Sequence, residues 1–253
     1  MKITFLGTGT SMGVPVICCK CPVCSSDDKR DKRLRTSVMV EVDENVFVID
    51  TGPDFRQQML RENVTKLDAV LITHSHKDHI AGLDDVRAFN YFMNKPMDVY
   101  TSLFTQKSIK NEFSYVFSDD NYPGIPKINL IKIPSKPFKI NGIEITPIES
   151  LHHKMPVLGF RIGNFSYITD ANFISQTELE KMYESEVIVI NALRKKKHLS
   201  HFTLAEAIDI LTLLKPKTAY LTHISHQMGK YAELEKEIPD NVHLAYDGLK
   251  III

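Results

Sequence analysis

Residues 73–79 read Thr-His-Ser-His-Lys-Asp-His, which places His74, His76, Asp78 and His79 within six positions, directly after the apolar run Leu67–Ile72. Imidazole and carboxylate donors together suit zinc, iron or manganese. A His-x-His pair at a strand end points both rings the same way, because strand side chains alternate. Asp78 and His79 follow where the chain must turn, so they can face a second ion a short distance away. A solvated polar loop would need no such concentration of donors. Three further candidates stand after predicted strands: His152 after Ile143–Ile148, Asp170 after Phe165–Ile168, and His223 after Thr218–Leu221. Singly, each reads as an ordinary polar residue; together, their shared placement offers what two coordination shells need. Binuclear hydrolytic sites hold their ions about 3.5–4 Å apart, and a carboxylate can bridge them with one oxygen on each.

All four cysteines lie between positions 18 and 24, in Cys-Cys-Lys-Cys-Pro-Val-Cys. Clustering this tight argues against scattered disulfides and for a metal site. Cys19, Cys21 and Cys24 supply three thiolates, and a tetrahedral structural zinc needs a fourth ligand. His226, three positions after His223, is the candidate, with Cys18 left as the spare thiol.

These residues need a frame. The chain has 253 residues, 43% apolar and 25% charged, which is ordinary for a globular protein and enough for a substantial core. One domain over residues 1–253 is expected. Acidic and basic residues balance at 31 each, so net charge gives no reason to expect a nucleic-acid or membrane partner. No apolar run approaches the roughly 20 residues of a bilayer span. The first residues enter a strand-like run, Ile3–Leu6, without a signal-peptide pattern, so a cytoplasmic location is expected. Val38–Val42 and Val46–Ile49 form a hairpin around residues 43–45, and a short helix follows Pro53. Helices are expected over Ile80–Phe92, Leu204–Leu213 and Tyr231–Glu237, with loops near 94–97 and 119–127. The aromatic runs Asn90–Phe92 and Phe113–Phe117 either line a substrate entrance or, the favoured use, pack in the core, and the mixed-sign run Lys29–Arg35 is assigned to the surface. Val48-Ile49-Asp50 is echoed by Tyr167-Ile168-Thr169-Asp170, and Leu71-Ile72-Thr73-His74 by Tyr220-Leu221-Thr222-His223. The echo suggests two similar β-rich halves that deliver ligands from strand ends into one cleft.

The His-x-His-x-Asp-His motif with His152, Asp170 and His223 resembles the metallo-β-lactamase superfamily of binuclear hydrolases, over essentially the whole chain. The resemblance implies an α/β fold: an αβ/βα four-layer sandwich of two facing mixed sheets flanked by helices. It implies that His74, His76 and His152 hold one metal, that Asp78, His79 and His223 hold the second, and that Asp170 bridges; His153 is the alternative to His152. Asp50 matches an early aspartate that orients ligands. The turn Gly7–Pro15, the cysteine cluster and Leu-Thr-His-Ile-Ser-His-Gln at 221–227 resemble the branch of phosphoribosyl cyclic phosphodiesterases. That branch opens 5-phosphoribosyl 1,2-cyclic phosphate and belongs with the tRNA 3′-end processing nucleases.

The implied chemistry is metal-assisted phosphodiester hydrolysis of a small anionic substrate. Asp78 would orient or deprotonate the attacking water, and His201, matching that branch's catalytic histidine, would protonate the leaving group. The cofactors implied are two catalytic divalent metals, zinc or manganese with iron as a further fit, and one structural zinc; relatives suggest a homodimer. The basic run Arg194–Lys197 either steers an anion or is a solvated loop. A nuclease is the first alternative, disfavoured by zero net charge and by the lack of a Gly/Pro-rich tRNA-gripping arm. Lactone hydrolysis and a non-catalytic metal-binding role on the same fold are the others.

Overall fold

The structure is a computed structural model that describes residues 1–118 and 122–253. Its strands are β1 (Lys2–Gly7), β2 (Ser37–Val42), β3 (Asn45–Ile49), β4 (Ala69–Leu71), β5 (Met97–Thr101), β6 (Ile128–Lys132), β7 (Phe138–Ile140), β8 (Ile143–His152), β9 (Met155–Ile162), β10 (Phe165–Tyr167), β11 (Phe173–Ile174), β12 (Val187–Asn191), β13 (Thr218–Thr222), β14 (Val242–Leu244) and β15 (Lys250–Ile252). Its α-helices are α1 (Phe55–Arg61), α2 (Lys77–Ile80), α3 (Arg87–Met93), α4 (Leu103–Glu112), α5 (Gln176–Glu180), α6 (Leu204–Leu214) and α7 (Tyr231–Leu234).

One sheet runs β15-β1-β2-β3-β4-β5-β6 and the other β11-β8-β9-β10-β12-β13-β14, with β7 on the outside of β8. Each sheet is antiparallel in its first half and parallel in its second: β3 pairs β4 in parallel as β10 pairs β12. This is the two-half echo of the sequence in three dimensions. Alternation along the strands sorts side chains between layers. Phe5, Val38, Val40, Phe47 and Ile49 of one sheet meet Ile145, Phe160, Phe165 and Val189 of the other in a central core. Met39 and Val48 turn outward beneath Phe55 and Phe89 of the helices. On the far side, Ile188 and Ile190 pack under Ala207 and Leu211 of α6. The result is the expected αβ/βα sandwich.

Several local expectations are corrected. The helix expected over Ile80–Phe92 is broken into α2, a 3-10 turn at Leu83–Val86, and α3. The break falls at Gly82, whose N–H donates to the Thr51 carbonyl and whose missing Cβ would lie 2.2 Å from the Gly52 carbonyl oxygen. Backbone contact there overrides the apolar periodicity. The strand at Leu67–Ile72 is only β4, β8 runs on through His152, and α7 is shorter than expected. The loop near 94–97 stops before Met97, which opens β5. Of the 119–127 loop, residues 119–121 lie outside the described residues and 122–127 is irregular. Phe113 is core, but Tyr91 and Phe92 are 80% and 82% exposed, against the assignment to packing.

The Lys29–Arg35 run is also not simply surface. Asp31 and Arg33 are buried. Arg33 donates to Thr8 Oγ1 (2.8 Å) and to the Ala245 carbonyl, while Asp31 accepts from the Tyr231 N–H. Asp247 completes this network, accepting from Thr8 Oγ1 (2.8 Å) and the Leu34 N–H (2.7 Å). Burial pushes the Asp247 carboxyl up to about 6, against the opposing pull of its hydrogen bonds and of Arg33. An acid raised in the folded state contributes full stability below its unfolded value near pH 4 and loses it as pH rises through about 6. The step is on the order of 3 kcal/mol. Asp247→Asn should abolish that fall in stability between about pH 4 and 6; urea unfolding at a series of pH values would show it, and an undiminished fall in the variant would disprove the assignment.

Candidate metal centre and active site

The strand ends that converge on the cleft share a backbone device. Asp50 (φ 65°), Asp170 (φ 55°) and His223 (φ 56°) all sit in the left-handed region just past a strand. Non-glycine residues pay strain there, and such positions cluster at functional sites. The reversal turns each side chain over the strand end instead of into a sheet face. Gly52 permits the next close approach: a Cβ there would lie 2.1 Å from the Asp78 carbonyl oxygen. It lets the Asp50 strand end and the His-rich loop pack backbone to backbone.

Asp170 lies at the centre. Donor atoms of Asp78, His79, Asp170 and His223 fall within 4.8 Å of one another, as do those of His74, His76 and Asp170, and those of His152, Asp170 and His201. His152 is thus grouped with Asp170 and His201, yet its ring centroid is 5.0 Å from that of His76 and 5.7 Å from that of His74. His153, at φ 57°, is exposed and outside the cluster. The cleft therefore selects His152.

The ring nitrogens are sorted by partners outside the cluster. His79 Nδ1 donates to Asp50 Oδ2 at 2.7 Å, and Asp50 also accepts the Thr73 N–H at 2.8 Å. His152 Nδ1 donates to the Ser200 carbonyl at 2.9 Å, and His74 Nδ1 meets Thr73 Oγ1 at 2.9 Å. Among the described residues, the opposite nitrogens, His74 Nε2 and His79 Nε2, are buried without a hydrogen-bond partner, as are both nitrogens of His223. His223 Nδ1 is 2.9 Å from Asp170 Oδ1, close enough for an ion pair but not aligned for a hydrogen bond. Buried imidazole nitrogens left unpaired around a carboxylate are what a cation-binding cluster requires, since an unmet polar atom is otherwise costly. The donor set fits divalent metal.

The carboxylates put negative charge among these rings, which a bound cation would compensate. Burial opposes ionisation of Asp170, but His223 and His79 outweigh it and hold the carboxyl well below its ordinary range. Burial likewise opposes charge on His79, and Asp78, Asp170 and Asp50 raise it well above the usual imidazole value. Burial, reinforced by His79, keeps His74 well below that value and so neutral. Burial pushes His201 down to about 4 against the pull of Asp170.

Asn191 and Asn172 were not singled out in the sequence; Asn172 Oδ1 accepts the His153 N–H at 2.6 Å. Asn191 closes both ends of the turn after Asp170, accepting the Ala171 N–H (2.8 Å) and donating to the Ala171 carbonyl (3.0 Å). Val-Ile-Val-Ile-Asn, an apolar strand ending on a polar residue, carried the same signal as Val-Ile-Asp. Thr203, paired reciprocally with Glu206, caps α6, which frees His201 from that duty. The basic run is engaged in structure: Arg194 donates to the Lys196 and Lys197 carbonyls and to Gln227, Lys195 pairs with Glu237, and Lys197 with Glu206.

A second cluster is separate. Sγ of Cys19, Cys21 and Cys24 lie 3.3, 3.4 and 3.6 Å from His226 Nδ1, and Cys18 is exposed outside it. The Cys24 N–H lowers the Cys21 thiol to about 6, while burial raises Cys24 to about 11. The Gly7–Pro15 turn reaches the same corner: Gly9 bridges to Ile224, between His223 and His226.

A His/Asp cluster, buried except for the exposed His76, at the strand-end edge of an αβ/βα sandwich is the arrangement of the metal-dependent β-lactamase-like hydrolases. The model of the β-lactamase superfamily domain matches residues 45–224, and the chain belongs to that superfamily. It is 38% identical to the protein in a crystal structure of a diphosphatase from the PhnP family, with a TM-score of 0.93, covering 100% of this chain and 97% of that one. An octanoyltransferase of Porphyromonas gingivalis is 38% identical over all of this chain, which covers 52% of that protein. A ribonuclease Z of Methanococcus maripaludis is 28% identical, covering 94% of this chain and 92% of the relative. The chain spans about half the length of the first curated relatives it matches. Among the described residues, no helix is long and apolar enough to cross a membrane.

Proposed function

We propose that the protein is a binuclear metal-dependent phosphodiesterase acting on a small cyclic phosphodiester such as 5-phosphoribosyl 1,2-cyclic phosphate. The observation that carries this reading is the convergence of histidine and aspartate donors on Asp170 with His201 beside it. His74, His76 and His152 would hold one divalent ion, and Asp78, His79 and His223 the other, with Asp170 shared; zinc or manganese suits these donors, and iron also fits. Bound there, the ions would neutralise phosphoryl oxygens and make a water acidic enough to attack near neutral pH.

The remaining work falls to side chains. Burial opposes ionisation of Asp78, but His79 holds its carboxyl far below the ordinary range, so it is an acceptor that can orient the attacking water. His201 Nε2 faces Asp170 Oδ2 at 3.3 Å and can donate to the leaving oxygen. The similarity to the diphosphatase favours a second reading, hydrolysis of a phosphoanhydride, and that to ribonuclease Z a nuclease. The acyl-transfer name belongs to a protein about twice as long and is not carried over.

The deciding experiment incubates metal-loaded protein with 5-phosphoribosyl 1,2-cyclic phosphate, a nucleoside diphosphate and a short RNA, followed by phosphorus NMR. Ring opening at a rate well above the other two supports the proposal; preferential P–O–P or RNA cleavage overturns it.

The thiol cluster would hold a structural zinc through Cys19, Cys21, Cys24 and His226. Cys21→Ser should lose one zinc per chain and lower the melting temperature, while the catalytic cluster keeps its metal. Elemental analysis beside calorimetry checks this; unchanged zinc content would remove the site.

A further inference from the structure

His201 has two ring nitrogens, and only the one facing the cleft can serve a leaving group. Nε2 lies on the cleft side, 3.3 Å from Asp170 Oδ2. Nδ1 faces the other way and meets His198 Nδ1 and Ser200 Oγ, each at 3.1 Å. His198 Nδ1 is in turn placed by the Ser200 N–H at 3.3 Å. The two rings are tilted by 56° with centroids 5.0 Å apart, and both border a cavity of about 350 Å³ with Asn172 and Lys197. The loop that carries His198 is fixed independently, by Arg194 donating to the Lys196 and Lys197 carbonyls and by His152 donating to the Ser200 carbonyl. His198 belongs to none of the apolar clusters and is half-buried. Among the described residues, its one hydrogen-bonding side-chain partner beyond Ser200 is the rear edge of His201.

We propose that His198 is a positioning residue that holds the Nδ1 edge of His201 and so keeps Nε2 turned toward the leaving oxygen. Imidazoles in active sites owe their orientation to the bond that their far nitrogen makes, and removing such a partner typically costs about 10–100-fold. The proposal rests on reading His201 as the general acid. Ser200 Oγ shares the same nitrogen, so loss of His198 should fall short of loss of His201.

The test exploits leaving-group basicity. A diester that releases a nitrophenolate has little need of an acid; one that releases an alkoxide needs it fully. Metal-loaded His198→Ala should lose ~10–100-fold in kcat on an alkyl diester and several-fold less on bis(p-nitrophenyl) phosphate, with KM and metal content unchanged. His198→Asn, whose short amide can reach the place of Nδ1, should recover most of the loss. Equal losses on both substrates, a fall in metal content, or no recovery by Asn would overturn the positioning role. His201→Ala, assayed alongside, separates the two ideas. If it shows no dependence on the leaving group, the acid role fails and the positioning role with it. If it does and His198→Ala behaves as wild type, only the positioning role fails.

Discussion

Replacing Asp170 with asparagine is expected to lower turnover by ~10³ or more and to strip the catalytic cluster of metal while the thiol cluster keeps its zinc. Asparagine keeps the volume, so the effect isolates the charge. Among the described residues, that charge is the only one shared by every donor group in the cleft: Asp170 oxygens lie 2.9 Å from His223, 3.4 Å from His79, 3.3 Å from His201 and 3.8 Å from His74. Without it, the unpaired nitrogens of His74, His79 and His223 surround a neutral amide that can donate to at most some of them and cannot compensate a cation. Elemental analysis together with steady-state rates checks the prediction. A variant that keeps both its metal and its rate would place the catalytic ions elsewhere.

His201→Ala is expected to cost ~10²–10⁴ in kcat with full metal retention. The geometry makes the metal measurement decisive, because His201 falls in one donor group with His152 and Asp170. As an acid, it touches only the leaving oxygen, and its loss spares the ions. As a ligand, its loss takes an ion with it. As the acid it donates from Nε2, the nitrogen that faces the cleft, while Nδ1 is held from behind. The variant's deficit should shrink on substrates with weakly basic leaving groups.

Much of this site was legible because it is local. His74, His76, Asp78 and His79 occupy one short segment, and side-chain alternation followed by a turn is enough to aim them at two neighbouring points. The cysteine cluster is local for the same reason. The hairpin expected around residues 43–45 forms as a two-residue turn at Asp43 and Glu44 (φ 45° and 64°); aspartate tolerates positive φ, whereas Glu44 is held there by the pairing of Val42 with Asn45. Strand-end positions of His152, Asp170 and His223 were readable from apolar runs that stop on a polar residue.

What local pattern could not supply is contact between segments far apart in the chain. Nothing in the sequence near His201 says that its rear nitrogen meets His198, or that the Ser200 carbonyl holds His152. Asn191, at the end of an apolar run the sequence reading passed over, reaches the turn after Asp170 only because β10 and β12 pair. Arg33 and Asp31 read as surface because a mixed-charge run usually is one, and only packing against Ala245, Tyr231 and Asp247 buries them. The Ile80–Phe92 periodicity was real, but Gly82 had to approach the Gly52 backbone more closely than a continuous helix allows. By itself, then, the amino-acid order determined which donors exist, where each strand releases one, and the fold class that follows from their arrangement. Tertiary structure decided which nitrogen of each imidazole faces the cleft, which of His152 and His153 enters it, and what holds them there, since those choices depend on hydrogen bonds between strands that meet only after the two sheets have packed.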